Sequence, residues 1–550
     1  MKHTGRAGVS WDGPLGHRAT SRAAVSWTAP RVSSAFFALL LALTVLVPTP
    51  SLADDNVDVI VQQIPGTSTN VAALIEDLGG TVTGELGIID GYAATVPAFV
   101  FDRLASHPDV VSVTPDGAVE LTGWNYASDD RESLAAIADK VTNADQFWND
   151  GYTGAGVDVA LIDSGVAPVD GLFVSGKIIN GPDLSFESQD ADLRYLDSFG
   201  PGTHLAGIIA GRANSAPSKI TTKEAKKHFL GIAPDARIVN VKVATRNGAT
   251  DVSQVIAAID WVVQHRNDNG MNIRVLNLSF GTDSTQSYLL DPLAFAVEQA
   301  WNHGIVVVVA AGNDGNGSLL RNPASDPFVI AVGAARTNST SRTSDDSIPA
   351  FSSCGTSKRH VDVVAPGQSV VSLLAPGSAA ATDHPEAIVD HRYIVGSGTS
   401  QAAAVVAGAA ALIVDQRPGI SPDQVKALLM ETADRIRGEN IVCQGAGLIN
   451  LDEARKASTP SADQAALSKP SQGTGSLEAS RGSYNLNHNG ATLDGEQDIM
   501  GSVWDGASWS SLSAAGASWS GGDWNGASWS GASWSGASWS GASWSGASWS

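Results

Sequence analysis

Between about Asp145 and Ala454 the chain alternates short, almost wholly apolar runs with longer amphipathic ones, and this alternation restricts the fold more than any other feature. The runs "VDVALIDSGV" (157–166), "RIVNVKVA" (237–244), "IRVLNLSFG" (273–281), "GIVVVVAAGND" (304–314) and "PFVIAVGAA" (327–335) are bounded by Gly and polar turns. Helical segments lie between them, at 251–268 and 291–304 for example. Strands that are apolar on both faces and alternate with helices belong to a parallel sheet covered on both sides. The expected class is therefore α/β, a twisted parallel sheet with helices on both faces. Ligands of such sheets bind at the carboxyl ends of the strands, so the polar residues that end these runs are the candidates for chemistry.

Four residues stand out on that criterion. Ser400 lies between a glycine-rich turn and a helix of Ala and Val in "VGSGTSQAAAVVAGAAALIVDQ" (395–416). Gly396, Gly398 and Ala402 to Ala404 leave almost no side-chain volume around its hydroxyl. A serine at a helix start is ordinarily an N-cap; a close-packed strand, turn and helix also exposes a hydroxyl as nucleophile turns do. A serine attacks a carbonyl only with a base and an orienting carboxylate. Asp163 ends an apolar strand, where an unpaired carboxylate is costly. His204, among 11 histidines, sits in the small-residue frame "GPGTHLAGIIAG" (200–211). Asn313 follows "VVVVAAG"; it reads as a turn former, or as an amide that donates to a developing oxyanion together with the Ser400 backbone N–H.

The motifs "LIDSGV", "GTHLAGIIAG", "LNLSFG", "AAGNDG", "VDVVAPG" and "GTSQAAAVVAGAAALI" occur in the order Asp, His, Asn, Ser. Over roughly 145–455 the chain resembles the secreted subtilisin-like serine proteases, the subtilases. The resemblance implies a serine endopeptidase with polypeptide substrates and no cofactor in the chemistry. It implies Ser400 as nucleophile, His204 as base, Asp163 as its orienting carboxylate and Asn313 as oxyanion donor. It implies that Ser279, Phe280 and Gly281 and the segment Ala310, Ala311 and Gly312 flank the substrate, with Gly and Ala walls suggesting an open pocket for a large apolar side chain. Three departures accompany it: Pro201 stands where the family carries a further histidine, read as a neighbouring position; Gln401 replaces an oxidisable methionine; and Ala404 replaces a proline. An intact Asp, His, Asn and Ser argue against a degenerate relative that only binds peptides.

The remainder of the chain supplies context. Arg- and Lys-containing residues 1–33, an apolar run at 34–47 and a small-residue cleavage site before Asp54 read as a secretory leader, 1–53. A compact α+β unit at 56–121 resembles the inhibitory propeptide of the family, an intramolecular inhibitor removed on maturation. The catalytic domain is expected at 122–455, a linker at 456–500 and a low-complexity tail at 501–550. In that tail "GASWS" occurs seven times and 9 of the 15 Trp are found. Disorder is the reading for such a repeat, with Trp stacking on glycan or cell wall the alternative. A surface-binding or self-associating protein worked by this tail is the competing function. The formal charge of −22 excludes a nucleic-acid partner. A disulfide between Cys354 and Cys443 is compatible with an exported chain, with two free thiols as the alternative, structural calcium is compatible with the many Asp but no regular calcium loop occurs, and a monomer is expected. The basic insertion 213–230 reads as a surface loop.

Overall fold

A computed structural model describes residues 56–514 except 65–66, 68–69, 87–90, 116–131, 189, 489–490 and 500–502, together with the pairs 533–534 and 542–543. The leader and nearly all of the Trp repeat lie outside the described residues.

The first unit has four antiparallel strands, β1 (Asn56–Gln63), β2 (Thr81–Leu86), β3 (Gly91–Pro97) and β4 (Val110–Pro115), in the order β2-β3-β1-β4. Helices Val71–Asp77 and Phe101–Ala105 connect them. Val59 and Val61 alternate inward from β1 and meet Val71, Ile75 and Leu104 in a core of their own. These elements make an α+β unit over 56–115; residues 116–121 of the expected range lie outside the described residues.

A two-residue strand β5 (Glu132–Ser133) follows. The large sheet then takes β6 (Asp158–Asp163), β7 (Ile178–Asp183), β8 (Arg237–Lys242), β9 (Ile273–Leu278), β10 (Val306–Ala310), β11 (Ile330–Ala335) and β12 (Val363–Pro366). Its seven strands run parallel in the order β12-β11-β10-β9-β6-β8-β7. β6, β9 and β10 are adjacent at its centre, so Asp163, Ser279 and the 310–313 segment emerge side by side from its carboxyl edge. A smaller sheet combines β5 with β13 (Val370–Leu373), β14 (Ile388–Val389) and β15 (Tyr393–Gly396).

The helix Thr399–Gln416 explains its own composition. It crosses β9, β10, β11 and β12, and fifteen of its residues are buried. Small residues also let it pass close to its other neighbours: a Cβ added at Gly408 would lie 2.6 Å from the Cβ of Ile232 and 3.2 Å from the carbonyl oxygen of Ile209 on the helix Pro201–Ala210. The alanine run is therefore a packing requirement, and it delivers Ser400 to the sheet edge.

The segment expected as a linker is instead a packed strap. The Ser471 N–H donates to both carboxylate oxygens of Glu298 at 2.8 Å. Arg481, without exposed side-chain area, donates to Asp251 at 2.7 Å, and Leu477 and Ile499 are fully buried. Trp504 and Trp509 stack near each other, with Trp509 edge-on to Phe295 at 5.1 Å. Sparse apolar anchors in a polar stretch, widely spaced and with no helical or strand period, make such a strap read as linker. The first GASWS copy, 506–510, opens the helix Gly506–Ala514.

Candidate active site

A cavity of about 60 Å³ opens at the carboxyl edge of the large sheet, lined among others by Asp163, Pro201, Leu205, Ser279, Phe280, Ser400 and Gln401. One side belongs to the start of the Ser400 helix. There the Asn313 Oδ1 accepts from the Thr399 N–H at 2.9 Å and from its hydroxyl at 3.0 Å. The same hydroxyl accepts from the Gly312 N–H at 3.1 Å. These bonds settle the amide orientation, and its Nδ2 is buried with no hydrogen-bond partner among the described residues. A Cβ at Gly398 would lie 3.2 Å from that nitrogen, so glycine keeps its approach clear. A buried donor without an acceptor is rare; beside a serine at a helix start it has the character of an oxyanion donor. Thr399, which does the positioning, had no signal of its own in the sequence beyond adjacency to Ser400.

The opposite side is the start of the helix Pro201–Ala210. Asp163 lines the cavity at the end of β6, and its Oδ1 accepts from the Ser164 N–H at 2.8 Å and hydroxyl at 3.1 Å. Burial, with the Asp197 carboxylate adding to it, pushes the Asp163 pKa up to about 7; the Ser164 bonds act against this. The fully buried Asp197, not anticipated from the sequence, accepts from Ser164 Oγ at 2.8 Å, the Gly200 N–H at 2.6 Å and the Thr203 N–H at 2.7 Å. It thereby caps this helix. A Cβ at Gly202 would lie 2.0 Å from the Gly165 carbonyl oxygen, so the helix start and the β6 turn fit together only with glycine.

The expectation for His204 fails here. Its ring is wholly buried, and Nε2 lies 3.2 Å from both the Val370 and the Ile394 carbonyl oxygens, on β13 and β15. Ser372 Oγ donates to its backbone carbonyl at 2.7 Å. Burial holds its pKa down to about 4, with those two carbonyls opposing the shift. His204 therefore ties its helix to the small sheet. It does not line the cavity, whereas Pro201 and Leu205, four residues apart and on one face, do.

The expected pocket also differs. Ser279 and Phe280 line the cavity, and Ala310 and Ala311 are buried walls. A Cβ on Gly281 would lie 2.8 Å from Arg321 Cβ, and one on Gly312 2.6 Å from Arg321 Cγ. The stem of Arg321 thus occupies the flank shared by both glycines. Its guanidinium grips Asp314 through two bonds, one of 2.6 Å, and donates to the Tyr484 hydroxyl of the strap at 3.0 Å. The walls face an ion pair rather than an open apolar slot. Cys354 and Cys443 are joined in a disulfide. Among the described residues no group of three or more His, Cys, Asp or Glu is placed to hold a metal ion, and no helix is long and apolar enough to cross a membrane.

A seven-stranded parallel sheet with a crossing helix, and a cleft at its carboxyl edge lined by Asp163 and Ser400, is an α/β arrangement of the subtilisin type. Comparison with known proteins agrees: residues 154–474 match the model of the subtilase family. The chain is 34% identical over 338 residues to serine protease AprX of Bacillus subtilis, covering 60% of this chain and 73% of that protein. It is 33% identical to subtilisin E of the same organism, covering 66% and 80%. Among solved structures it is similar to fervidolysin from Fervidobacterium pennivorans, a keratinolytic enzyme related to subtilisin, at 24% identity and TM-score 0.47 over 74% of this chain and 62% of that one. The chain belongs to the subtilase family of serine endopeptidases.

Proposed function

We propose that the cleft receives an extended polypeptide and presents its carbonyl to Ser400, with the oxygen facing Asn313 Nδ2 and the Ser400 backbone N–H. The observation that carries this reading is the buried, partnerless Asn313 donor held beside the start of the Ser400 helix. The peptide adds as a strand beside Ser279, Phe280 and Gly281. The leader, 1–53, exports the chain, and the 56–115 unit acts as its propeptide. A peptide boronate tests the site without a leaving group to protonate: boron bonds Ser400 Oγ, the hydroxyl proton passes to water, and a boron-bound oxygen takes the oxyanion position. A Ser400-linked adduct is expected by intact mass, absent in Ser400→Ala and weakened in Asn313→Ala. No adduct in the wild type would reject the reading.

A further inference from the structure

We propose that position 201, not 204, is where a general base acts in this cleft, and that Pro201 leaves Ser400 without one. The chain then holds polypeptide in its cleft far longer than it cuts it. This rests on the polypeptide-binding reading above. The frame makes the assignment. Residue 201 is the first of its helix, lines the same cavity as Asp163 and Ser400, and is held there by the Asp197 cap and the contact of Gly202 with Gly165. An imidazole at 201 would enter the cavity that the Asp163 carboxylate and the Ser400 hydroxyl both line. The imidazole that the chain does carry, three residues on, is committed to the carbonyls of Val370 and Ile394.

Pro201 has no side-chain donor or acceptor. Its neighbours in the lining, Leu205, Phe199 and Phe280, are apolar, and Gln401 carries an amide of no useful basicity. Asp163 is the sole titratable group among the described residues lining the cavity. Attack by Ser400 forms the Oγ–C bond, sends the carbonyl π pair to the oxygen and releases the Oγ proton. That proton must then reach the leaving amine as the C–N bond breaks. With no imidazole neither transfer has a carrier, although the oxyanion donor and the nucleophile remain. In subtilisin the loss of its triad histidine lowers kcat by about 2 × 10⁶, and binding with the oxyanion donor retains roughly 10³–10⁴ over water.

The test uses the full secreted chain and a peptide anilide with alanine before the scissile bond. The wild type should hydrolyse it no more than a few-fold faster than Ser400→Ala, and should keep its 56–115 unit by intact mass. Pro201→His should raise kcat/KM by roughly 10³ or more, with an acid limb in the imidazole range near pH 6.5, and the gain should vanish when Ser400→Ala is added. Should Pro201→His fail to fold, Pro201→Gly with added imidazole replaces it; hydrolysis rising in proportion to imidazole is the expected result. The proposal falls if the wild type turns over at 1 s⁻¹ or more in a Ser400-dependent manner. It also falls if neither variant gains activity while the boronate adduct forms. Absence of the adduct would instead remove the underlying reading of the site.

Discussion

Two helices begin at this cleft, and they have kept different things. At the start of Thr399–Gln416 the scaffold presents polar groups: Thr399 orients Asn313, Gly398 clears its path, and Ser400 lines the cavity. At the start of Pro201–Ala210 the scaffold is equally complete, with Asp197 capping, Gly202 seated on Gly165 and His204 anchoring the small sheet, but the residue presented is a proline. A scaffold is maintained by packing and hydrogen bonds whose loss lowers stability, whereas the residue it presents touches little of the fold. Stability and chemistry can therefore part company within one helical turn.

That contrast can be broken on either side. The largest expected effect is beside the first helix: in a Pro201→His background, Asn313→Ala should lower kcat by about 10²–10³, read with the same anilide, and its two lost bonds to Thr399 should lower stability by about 1–2 kcal/mol. Removing Asp197 should do the reverse. Asp197→Ala strips three buried bonds, those that cap the helix among them, and should lower stability by roughly 2–3 kcal/mol in urea unfolding, with boronate binding changed less. Smaller effects come from pH. Burial lowers the His204 pKa to about 4, so between pH 6.5 and 4 the unfolded chain binds a proton that the folded one excludes. Its contribution to stability falls as pH drops through that window, by up to about 1.4 kcal/mol per pH unit. Asp163, raised to about 7, has the opposite sign: it weakens the fold as pH rises from 3.8 towards 7. His204→Gln should abolish the first slope and Asp163→Asn the second. The smallest change concerns selectivity: in the Pro201→His background, Arg321→Gly should open the space between Gly281 and Gly312 and raise the ratio of kcat/KM for a phenylalanine over an alanine anilide roughly tenfold.

The sheet was legible because buried parallel strands must be apolar throughout, Asn313 because it closes such a run, and Ser400 because a glycine turn and small residues frame it. The choice between positions 201 and 204 was not. Three residues differ by only 60° around a helix, so periodicity placed both near the cleft edge; the carbonyls that claim His204 come from residues 166 and 190 positions away. The expectation of an open pocket failed for the same reason. Arg321 lies 40 residues after Gly281 in the chain, and its reach across both glycines is a tertiary fact. The strap escaped notice because a few anchors, Leu477, Arg481 and Ile499 among them, hold a stretch otherwise rich in polar residues.

The strap also sets an order of events during synthesis. The seven strands are complete once residue 366 has left the ribosome, yet Asp251 receives its buried arginine only with residue 481 and Glu298 its amide partner only with residue 471. Until then two carboxylates and the face around Phe295 stay in water. The domain is thus finished only from its last-made end: Asp251, Glu298 and Phe295 take up their packed surroundings after every strand of the large sheet has been made.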